Sequence, residues 1–401
     1  MKQGARLHID AVALALVSAI MLLGLIMVTS ASISIASKDG GDAFAFLERQ
    51  LVLCLVGGLL AAMVFCIRTE YLEKFAWPLL VIAIALLFVV LIPGLGHVVN
   101  GSRRWIRLAG FNFQASELAR VLTLIFIASY AVRRGDELRS TALGLFKPMA
   151  LLVFVALLLL AEPDFGAASV LFITGFGILF VAGARLRYVL LAAAAGAAAM
   201  ALLVMLVPYR MARVTSFLDP WADPYNSGFQ LTQSLIAIGR GEWFGVGLGE
   251  SVQKLFYLPE AHTDFLFAVL AEELGLVGVA VTLALFIGLV WRSFWIAQLA
   301  SRANLRFQAY LAAGFGLWLG CQALINIGVN MGVLPTKGLT LPLMSYGRSS
   351  MIVTLAWVGL LLRVYHEAMQ SGRGMAQSMN KGRRSEEESS ARGTRLAGAN
   401  A

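Results

Sequence analysis

An acidic residue, Asp264, stands where a polar, aromatic segment gives way to a long apolar run. It belongs to the sequence Tyr257-Leu-Pro-Glu-Ala-His-Thr-Asp-Phe-Leu-Phe267, in which His262 is its neighbour. Partial burial beside apolar residues would raise the pKa of the Asp264 carboxyl group toward the range of a useful general base. Asp and Thr are also favoured N-cap residues, so Asp264 or Thr263 could instead cap the helix that follows. Spacing alone favours the cap.

A second segment, residues 100–120, carries four arginines, among them Arg104 and Arg120. A guanidinium group binds phosphate through two parallel hydrogen bonds, so an anionic lipid headgroup is a natural ligand. Two other interpretations fit as well. The segment could be an interfacial hairpin anchored by Trp105, and Glu117 could simply pair with Arg120, three residues away on the same helix face. The sequence leaves these interpretations even.

The glycine-rich segment Gly239–Gly249 lacks a preceding strand and the Gly-Lys-Ser/Thr ending of a nucleotide-binding loop. We therefore predict a flexible loop there. Outside the apolar runs, no Asp or His residues have the spacing of metal ligands, and no protein cage for a metal ion is expected. A disulfide framework is also not expected, because the cysteines lie in apolar runs; they are Cys54, Cys66 and Cys321.

The elements that position these residues must be apolar helices. Of 401 residues, 59% are hydrophobic and only 14% are charged, whereas soluble domains carry about 25% charged residues. The net charge is +9, and most of the Lys and Arg residues lie between apolar runs. This composition excludes a soluble enzyme, a DNA-binding module and a disordered protein. It predicts an all-α fold, a polytopic membrane helix bundle.

Apolar intervals, free of charge except for Glu272 and Glu273 in one of them, supply ten predicted spans, since a helix needs about 20 residues to cross the hydrocarbon. An even number puts both termini on one side, and the larger share of Lys and Arg makes that side the cytoplasm. The intervals are 11–37, 50–67, 75–102, 121–132, 148–161, 165–184, 188–209, 265–291, 307–336 and 349–362.

The predicted spans divide the chain into three parts. Residues 1–10 are a cytoplasmic N-terminus, 11–367 a transmembrane domain, and 368–401 a cytoplasmic tail whose Gly, Ser, Arg and Glu content predicts disorder. Between spans 7 and 8 lies a large outer loop, 208–264. Loops of this length are usually functional or disordered, and this one is too aromatic for disorder.

Three predicted spans are short and stop at charged residues on their outer side. Residues 148–161 would extend only about 21 Å as a helix, against a hydrocarbon core of ~30 Å. Charges within a membrane normally face a cavity or a partner. We therefore predict one polar crevice open to the outer face, the alternative being that each charge snorkels separately. The charged residues are Glu117, Arg120, Glu162, Asp164 and Arg348, with Glu272 and Glu273 in a later span.

Five strings, which run through most of the spans in order, resemble the SEDS (shape, elongation, division and sporulation) family of cell-wall synthesis proteins, closest to its division branch. They are NGSRRWIRLAGFNFQASELAR, AEPDFGAASVLFITGFGILFVAG, PYRMARVTSFLDPWADPYNSGFQLTQSL, VQKLFYLPEAHTDFLFAVLAEELG and GVLPTKGLTLPLMSYGRSS.

The resemblance implies a peptidoglycan glycosyltransferase that polymerises lipid II at the outer face of the bacterial cytoplasmic membrane, at the division septum. The leaving group would be undecaprenyl pyrophosphate, and the usual partner is a class B penicillin-binding transpeptidase within a division complex. The catalytic carboxylate of the family matches Asp264. Positions implicated in substrate binding or activity match Arg104, Glu117, Arg120, the loop 335–342 with Lys337, Ser345, Ser349 and Ser350.

Five positions depart from the family pattern. Arg348 stands in place of a glycine, Arg120 in place of a common lysine, Glu162 in place of glutamine, Phe165 in place of leucine and Ala115 in place of proline. These departures leave the implied activity intact, but they weaken the transfer of a lysine's role to Arg120 and any inference about the turn at 345–350.

Residues and resemblance together predict an inverting transfer. Asp264 would take the proton of the acceptor hydroxyl as that hydroxyl attacks the donor sugar, and His262 beside it would contribute to substrate binding. Arg104 and Arg120, with Arg210 or Arg213 as further candidates, would neutralise the pyrophosphate, which could also carry a Mg or Mn ion. Two rival functions remain open at this point: a lipid II flippase, and a non-catalytic scaffold of the division complex.

Overall fold

The computed structural model describes residues 7–38, 42–99, 102–108, 111–206, 208–226, 228–255 and 257–372. These ranges contain fourteen helices and one three-stranded sheet. The helices are α1 Ala11–Lys38, α2 Ala45–Cys66, α3 Thr69–Lys74, α4 Ala76–Leu91, α5 Ala115–Arg133, α6 Gly135–Ser140, α7 Ala142–Ala161, α8 Phe165–Val181, α9 Leu186–Met205, α10 Pro208–Leu218, α11 Phe229–Arg240, α12 Leu266–Arg302, α13 Arg306–Asn330 and α14 Arg348–Gly372, and the strands are β1 Gly96–Val99, β2 Ser102–Leu108 and β3 Phe111–Gln114.

The described chain is a membrane-type helix bundle, which confirms the predicted fold class. Seven helices are long and apolar enough to cross a bilayer: α1, α2, α5, α7, α12, α13 and α14. Three shorter apolar helices accompany them: α4, α8 and the first part of α9. The predicted number of ten spans stays a prediction, because it depends on these three.

The short spans expected after Arg120 and before Glu162 are longer as helices. Helix α5 begins at Ala115 and has 19 residues, and α7 has 20. The charges inside them are tolerated because they are paired or exposed: Arg120 faces Glu117, and Lys147 reaches the surface beside Glu137. The predicted spans were therefore shorter than the helices, because each prediction ended at a charged residue that the helix includes or adjoins.

The three strands, Gly96–Val99, Ser102–Leu108 and Phe111–Gln114, form a small antiparallel sheet in the order β1-β2-β3. Trp105 of β2 pairs with His97 on one side and Gln114 on the other. The hairpin interpretation of this segment thus describes its backbone, although the all-α prediction contained no sheet. Since β3 ends at Gln114 and α5 starts at the next residue, the sheet is joined directly to the buried helix that carries Glu117.

Helix α13 lies at the centre of the bundle, where it packs against α12, α8 and α5. Trp318 in its middle is almost fully buried, and its ring lies 5.0 Å from that of Trp357 in α14. This packing fixes the C-terminal end of α13, which provides two asparagines to the site described next.

The C-terminal boundary differs from the predicted one. Helix α14 continues to Gly372, so residues 368–372 are helical rather than part of a tail. Residues 1–6 and 373–401, which include most of the predicted tail, lie outside the described residues.

Candidate functional site

Asp264 is held through its main chain. Its carbonyl oxygen accepts hydrogen bonds from Asn326 Nδ2 at 2.9 Å and Asn330 Nδ2 at 3.0 Å. Asn330 Oδ1 also accepts a hydrogen bond from the N–H of Ala268 at 3.1 Å. A neighbouring helix thus provides a partner for a backbone N–H in the first turn of α12. The N-cap position is Phe265, without a side-chain cap. The capping role considered for Asp264 and Thr263 is therefore wrong, and within the described residues the Asp264 carboxyl group makes no hydrogen bond.

The carboxyl group of Asp264 titrates near neutral pH. The pKa of Asp264 is raised to about 7, mainly by burial and also by the charges of Glu260 and Asp164, while Arg104 and Arg213 act in the opposite direction. A carboxyl with this pKa is present in both protonation states at neutral pH. Such a group suits general base catalysis.

Two arginines are oriented toward this region by backbone carbonyls. Arg104 donates from Nε to the carbonyl oxygen of Glu162 at 3.0 Å and from its terminal nitrogen to that of Pro163. Arg213 donates to the carbonyl oxygen of Thr336 at 3.0 Å. Carbonyl oxygens orient the Arg104 guanidinium group without neutralising its charge, so this cation remains able to attract an anion.

Arg210, the other predicted candidate on α10, has its backbone in this helix. Its side chain lies outside the described part of the structure, so its role stays a prediction.

The loop 335–342 lies against Asp264. A Cβ added at Gly338 would stand 3.2 Å from Asp264 Oδ2, and Asn326 donates to the carbonyl of Leu339 at 2.6 Å as well as to that of Asp264. Lys337 Nζ lies 4.2 Å from the centre of the Phe165 ring. Burial lowers the pKa of Lys337 to about 8. The loop therefore brings a third cation to the same region.

Glu117 and Arg120 are buried as an ion pair, and Arg120 is only 1% exposed. This is the pairing interpretation, and it keeps Arg120 from touching a phosphate in this conformation. Arg120 reaches the site indirectly: it donates to Gln322 at 3.3 Å, and Gln322 donates to the carbonyl of Thr340 in the 335–342 loop at 3.1 Å.

The acidic residues at the end of α7 are enclosed too. Asp164 caps α8 by accepting the N–H of Ala167 at 3.0 Å. The carboxyl oxygens of Glu162 are buried and have no hydrogen-bond partner in the described chain. Burial raises the pKa of Glu162 to about 8, so it is mainly neutral at pH 7. Neither residue lines an open crevice.

The sequence predicted that Glu272 and Glu273 line a crevice. In the structure they instead hold the loop 208–264. Glu273 accepts from Lys254 Nζ at 2.8 Å and from Ser30 of α1 at 2.7 Å. Glu272 accepts from the hydroxyl of Ser251, and Arg240 lies 3.3 Å away. Burial of both carboxylates is tolerated because each has cationic and hydroxyl partners.

The remaining predicted residues hold the surrounding segments. Ser349 Oγ accepts the N–H of Gln114 at 2.8 Å and thereby ties α14 to β3. Ser350 Oγ lies 3.5 Å from Thr340 Oγ1. The ring of His262 packs against those of Phe46 and Tyr346. Burial lowers the pKa of His262, which favours the neutral form of the imidazole.

Sequence reasoning missed the residues that fix Asp264, namely Asn326 and Asn330. Their signal was visible, because two amides four residues apart inside an apolar span share a helix face and need partners. The prediction counted only charges and therefore passed over them. Among the described residues, no group of three or more His, Cys, Asp or Glu side chains is placed to hold a metal ion.

Comparisons with known proteins agree on one family. Residues 10–370 match the model of the FtsW/RodA/SpoVE family, described as cell cycle protein. A relative from Thioalkalivibrio sulfidiphilus, a probable peptidoglycan glycosyltransferase FtsW, is 58% identical over 356 residues, 89% of each chain.

Two solved structures share the fold. One, described as structural coordination of polymerization and crosslinking by a peptidoglycan synthase complex, has a TM-score of 0.71 and 36% identity, and covers 91% of this chain and all of the other. Another is the rod shape determining protein RodA of Thermus thermophilus, with a TM-score of 0.63 and 32% identity, covering 90% of this chain and 97% of RodA.

Proposed function

The chain belongs to the FtsW/RodA/SpoVE family of cell cycle proteins and is a peptidoglycan glycosyltransferase, and we propose that Asp264 is its general base. One observation carries the proposal: a carboxyl group with its pKa raised to about 7 stands within the electrostatic reach of Arg104 and Arg213. The substrate proposed is lipid II, a disaccharide linked by pyrophosphate to a polyprenyl chain.

In the proposed step, the acceptor sugar hydroxyl attacks the anomeric carbon of the donor chain from the face opposite its pyrophosphate. The new glycosidic C–O bond forms as the bond from carbon to phosphate oxygen breaks, and the configuration inverts. Asp264 takes the hydroxyl proton, and the electron pair leaves with undecaprenyl pyrophosphate. Base assistance of this kind is typically worth about 10²–10⁴ in rate.

Arg104, Arg213 and Lys337 are proposed to stabilise the departing pyrophosphate. The carbonyls of Glu162, Pro163 and Thr336 hold the two guanidinium groups in place before the substrate arrives. Cations fixed in advance stabilise developing charge without reorganising during the reaction. A Mg or Mn ion carried by the pyrophosphate would add to this charge.

The cellular setting is proposed on the same family relationship. The reaction takes place at the outer face of the cytoplasmic membrane during septal wall synthesis, with both termini in the cytoplasm. A class B penicillin-binding transpeptidase is the proposed partner. The similarity to a chain from a peptidoglycan synthase complex that couples polymerisation and crosslinking supports this pairing.

The test is glycan formation from labelled lipid II by purified Asp264→Asn protein in detergent, with and without the transpeptidase. Asn cannot accept a proton near neutral pH, so polymerisation should fall by at least about 10². Thermal stability should remain, because the Asp264 carbonyl, which the substitution keeps, makes the contacts that hold this residue.

Thr141→Ala is a matched control far from Asp264 in sequence. Thr141 caps α7 through the N–H of Gly144 at 3.1 Å, so its loss should cost about 1 kcal/mol of stability without a comparable loss of activity. An Asp264→Asn protein that polymerises at the wild-type rate would overturn the base assignment. Wild-type protein that moves lipid II across vesicles but makes no glycan, even with its partner, would favour a flippase.

A further inference from the structure

A tight turn, residues 242–247, is fixed to a break in helix α12. Gly275 has a φ of 64°, and a Cβ there would stand 2.3 Å from the nitrogen of Gly245. The break leaves backbone groups without helical partners. Leu276 and Val277 donate their N–H groups to the carbonyls of Glu242 and Trp243 at 2.9 and 3.1 Å, and Val246 donates to the carbonyl of Glu272 at 2.9 Å. The turn is thus held in place by main chain, rather than being the flexible loop that its glycines predicted.

At its tip the turn presents two aromatic side chains that the bundle does not cover. Trp243 is 67% exposed and Phe244 is 82% exposed. They adjoin the exposed apolar residues Leu276, Val277 and Val281 of α12, which is one of the candidate membrane spans. Phe244 also lines an apolar groove of about 320 Å³ with Leu23, Leu274, Val277, Gly278 and Val281. The aromatic pair therefore continues the surface that the span presents to lipid.

The length of α12 places this turn at a membrane boundary. Toward the C-terminal end of α12, Arg292 pairs with Asp10 at 2.8 Å, and Asp10 directly precedes α1. The guanidinium group of Arg292 lies 3.9 Å from the centre of the Trp295 ring. Gly275 and Arg292 are about 25 Å apart along a helix that rises about 1.5 Å per residue, close to the ~30 Å hydrocarbon thickness. Trp291, 73% exposed, stands at the Arg292 end. Aromatic residues are enriched at both interfaces of a bilayer, as at the two ends of this segment.

We infer that Trp243 and Phe244 form a lipid-binding tip that inserts at the headgroup level of the bilayer on the Asp264 side. Its ligands are the phospholipids surrounding the bundle. The tip anchors the loop that leads from α11 to Asp264, so the membrane surface itself would set the height of that loop. This inference rests on exposure, backbone contacts and helix length, and does not depend on the role of Asp264.

The test is tryptophan fluorescence of the full chain in phosphatidylcholine nanodiscs. Lipids brominated near the headgroup end of the acyl chain, lipids brominated near its terminus, and aqueous iodide serve as quenchers. Trp243→Phe identifies the Trp243 signal by difference and keeps the aromatic character of the tip. We expect the Trp243 emission to be quenched at least about twofold more by the shallow bromines than by iodide or by the deep bromines.

Trp221→Phe is the matched control, since Trp221 is 58% exposed in the same outer loop but lies outside this turn. Its emission should be quenched by iodide rather than by brominated lipid. As a second readout, Phe244→Trp in the Trp243→Phe background should restore a component quenched by shallow bromines. Quenching of Trp243 by iodide and not by lipid would overturn the inference. The inference would also be overturned if iodide and brominated lipid both quenched Trp243 in the protein alone and neither did after the transpeptidase was added. The tip would then be a protein interface.

Discussion

At the residue scale, the main chain of Asp264 is bound by neighbouring residues, whereas its carboxyl group is left available for chemistry. Asn326 and Asn330 bind its carbonyl oxygen, and Asn330 supplies the cap that the carboxylate would otherwise have given. The side chain is left with neighbouring charges instead of hydrogen bonds, and burial raises its pKa to about 7. The same carboxylate used as a cap would have had its ionised form stabilised and its pKa lowered.

The pH profile of kcat/KM should report two of these groups. Activity should rise with pH through about 7 as Asp264 loses its proton, and fall above about 8 as Lys337 loses its charge. Because Arg keeps its charge throughout this range, Lys337→Arg should move the falling limb to higher pH and leave the rising limb in place. Polymerisation rates at limiting lipid II between pH 5.5 and 10 measure both limbs.

A His262→Gln variant separates Asp264 from the nearby imidazole. Burial lowers the pKa of His262, whereas it raises the pKa of Asp264 to about 7. The rising limb should therefore keep its position in this variant even if the rate changes. If the rising limb disappeared in the His262→Gln variant, the titrating group would be His262, and the proposal would have assigned the titration to the wrong residue.

The sequence alone located Asp264, Arg104, Arg213 and Lys337 as candidates, but it did not reveal how they are oriented. Whether Asp264 caps a helix depends on Asn330, which is 66 residues away in the chain. The apolar surroundings of Asn326 and Asn330 indicate that their amides need partners, but they do not indicate which distant residue provides them. The buried position of Arg120 was missed for a related reason, since spacing showed its pairing with Glu117 but not the depth of the pair.

At the element scale, the break at Gly275 divides α12 into two parts with different structural roles. The part before it carries Glu272 and Glu273, which bind the loop 208–264, and the part after it spans the bundle. The apolar interval 265–291 predicted a single continuous span here. A positive φ at one glycine, stabilised by hydrogen bonds from a turn 30 residues earlier, is not visible in an apolar pattern.

Removing one partner of the buried Lys254–Glu273 pair should destabilise this arrangement. Glu273→Gln leaves the ammonium group of Lys254 enclosed without its carboxylate, a change that typically costs about 3–5 kcal/mol. Because the pair holds the loop that leads to Asp264, polymerisation should fall as well. Thermal unfolding of the purified variant and its rate with lipid II are the two measurements.

Glu70→Gln provides the comparison, since its pair with Arg68 is exposed and should contribute no more than about 1 kcal/mol. Replacing both Lys254 and Glu273 by Met should recover much of the stability, because no buried charge is then left unpaired. Equal unfolding temperatures for Glu273→Gln and Glu70→Gln would contradict a structural role for the buried pair.

At the scale of the whole molecule, hydrophobicity predicted the helix bundle, but the number of crossings depends on helix ends. The doubtful helices are α4, α8 and α9, of 16, 17 and 20 residues. As helices they extend about 24, 26 and 30 Å, against a hydrocarbon core of ~30 Å. A shortfall of a few Å is met by local thinning of the bilayer at a modest cost, so all three are long enough to cross.

The parity of the crossings makes this testable. If all three shorter helices cross together with the seven long ones, the two ends of the chain lie on one side, and the distribution of Lys and Arg places that side in the cytoplasm. With Cys54, Cys66 and Cys321 replaced by Ala, single cysteines at Leu7 and Gly372 should resist a membrane-impermeant maleimide in intact cells and react after lysis. A cysteine at Trp221 should react in intact cells, because it lies in the outer loop. If one or all three of the shorter helices failed to cross, Leu7 and Gly372 would fall on opposite sides and only one of them would be labelled from outside.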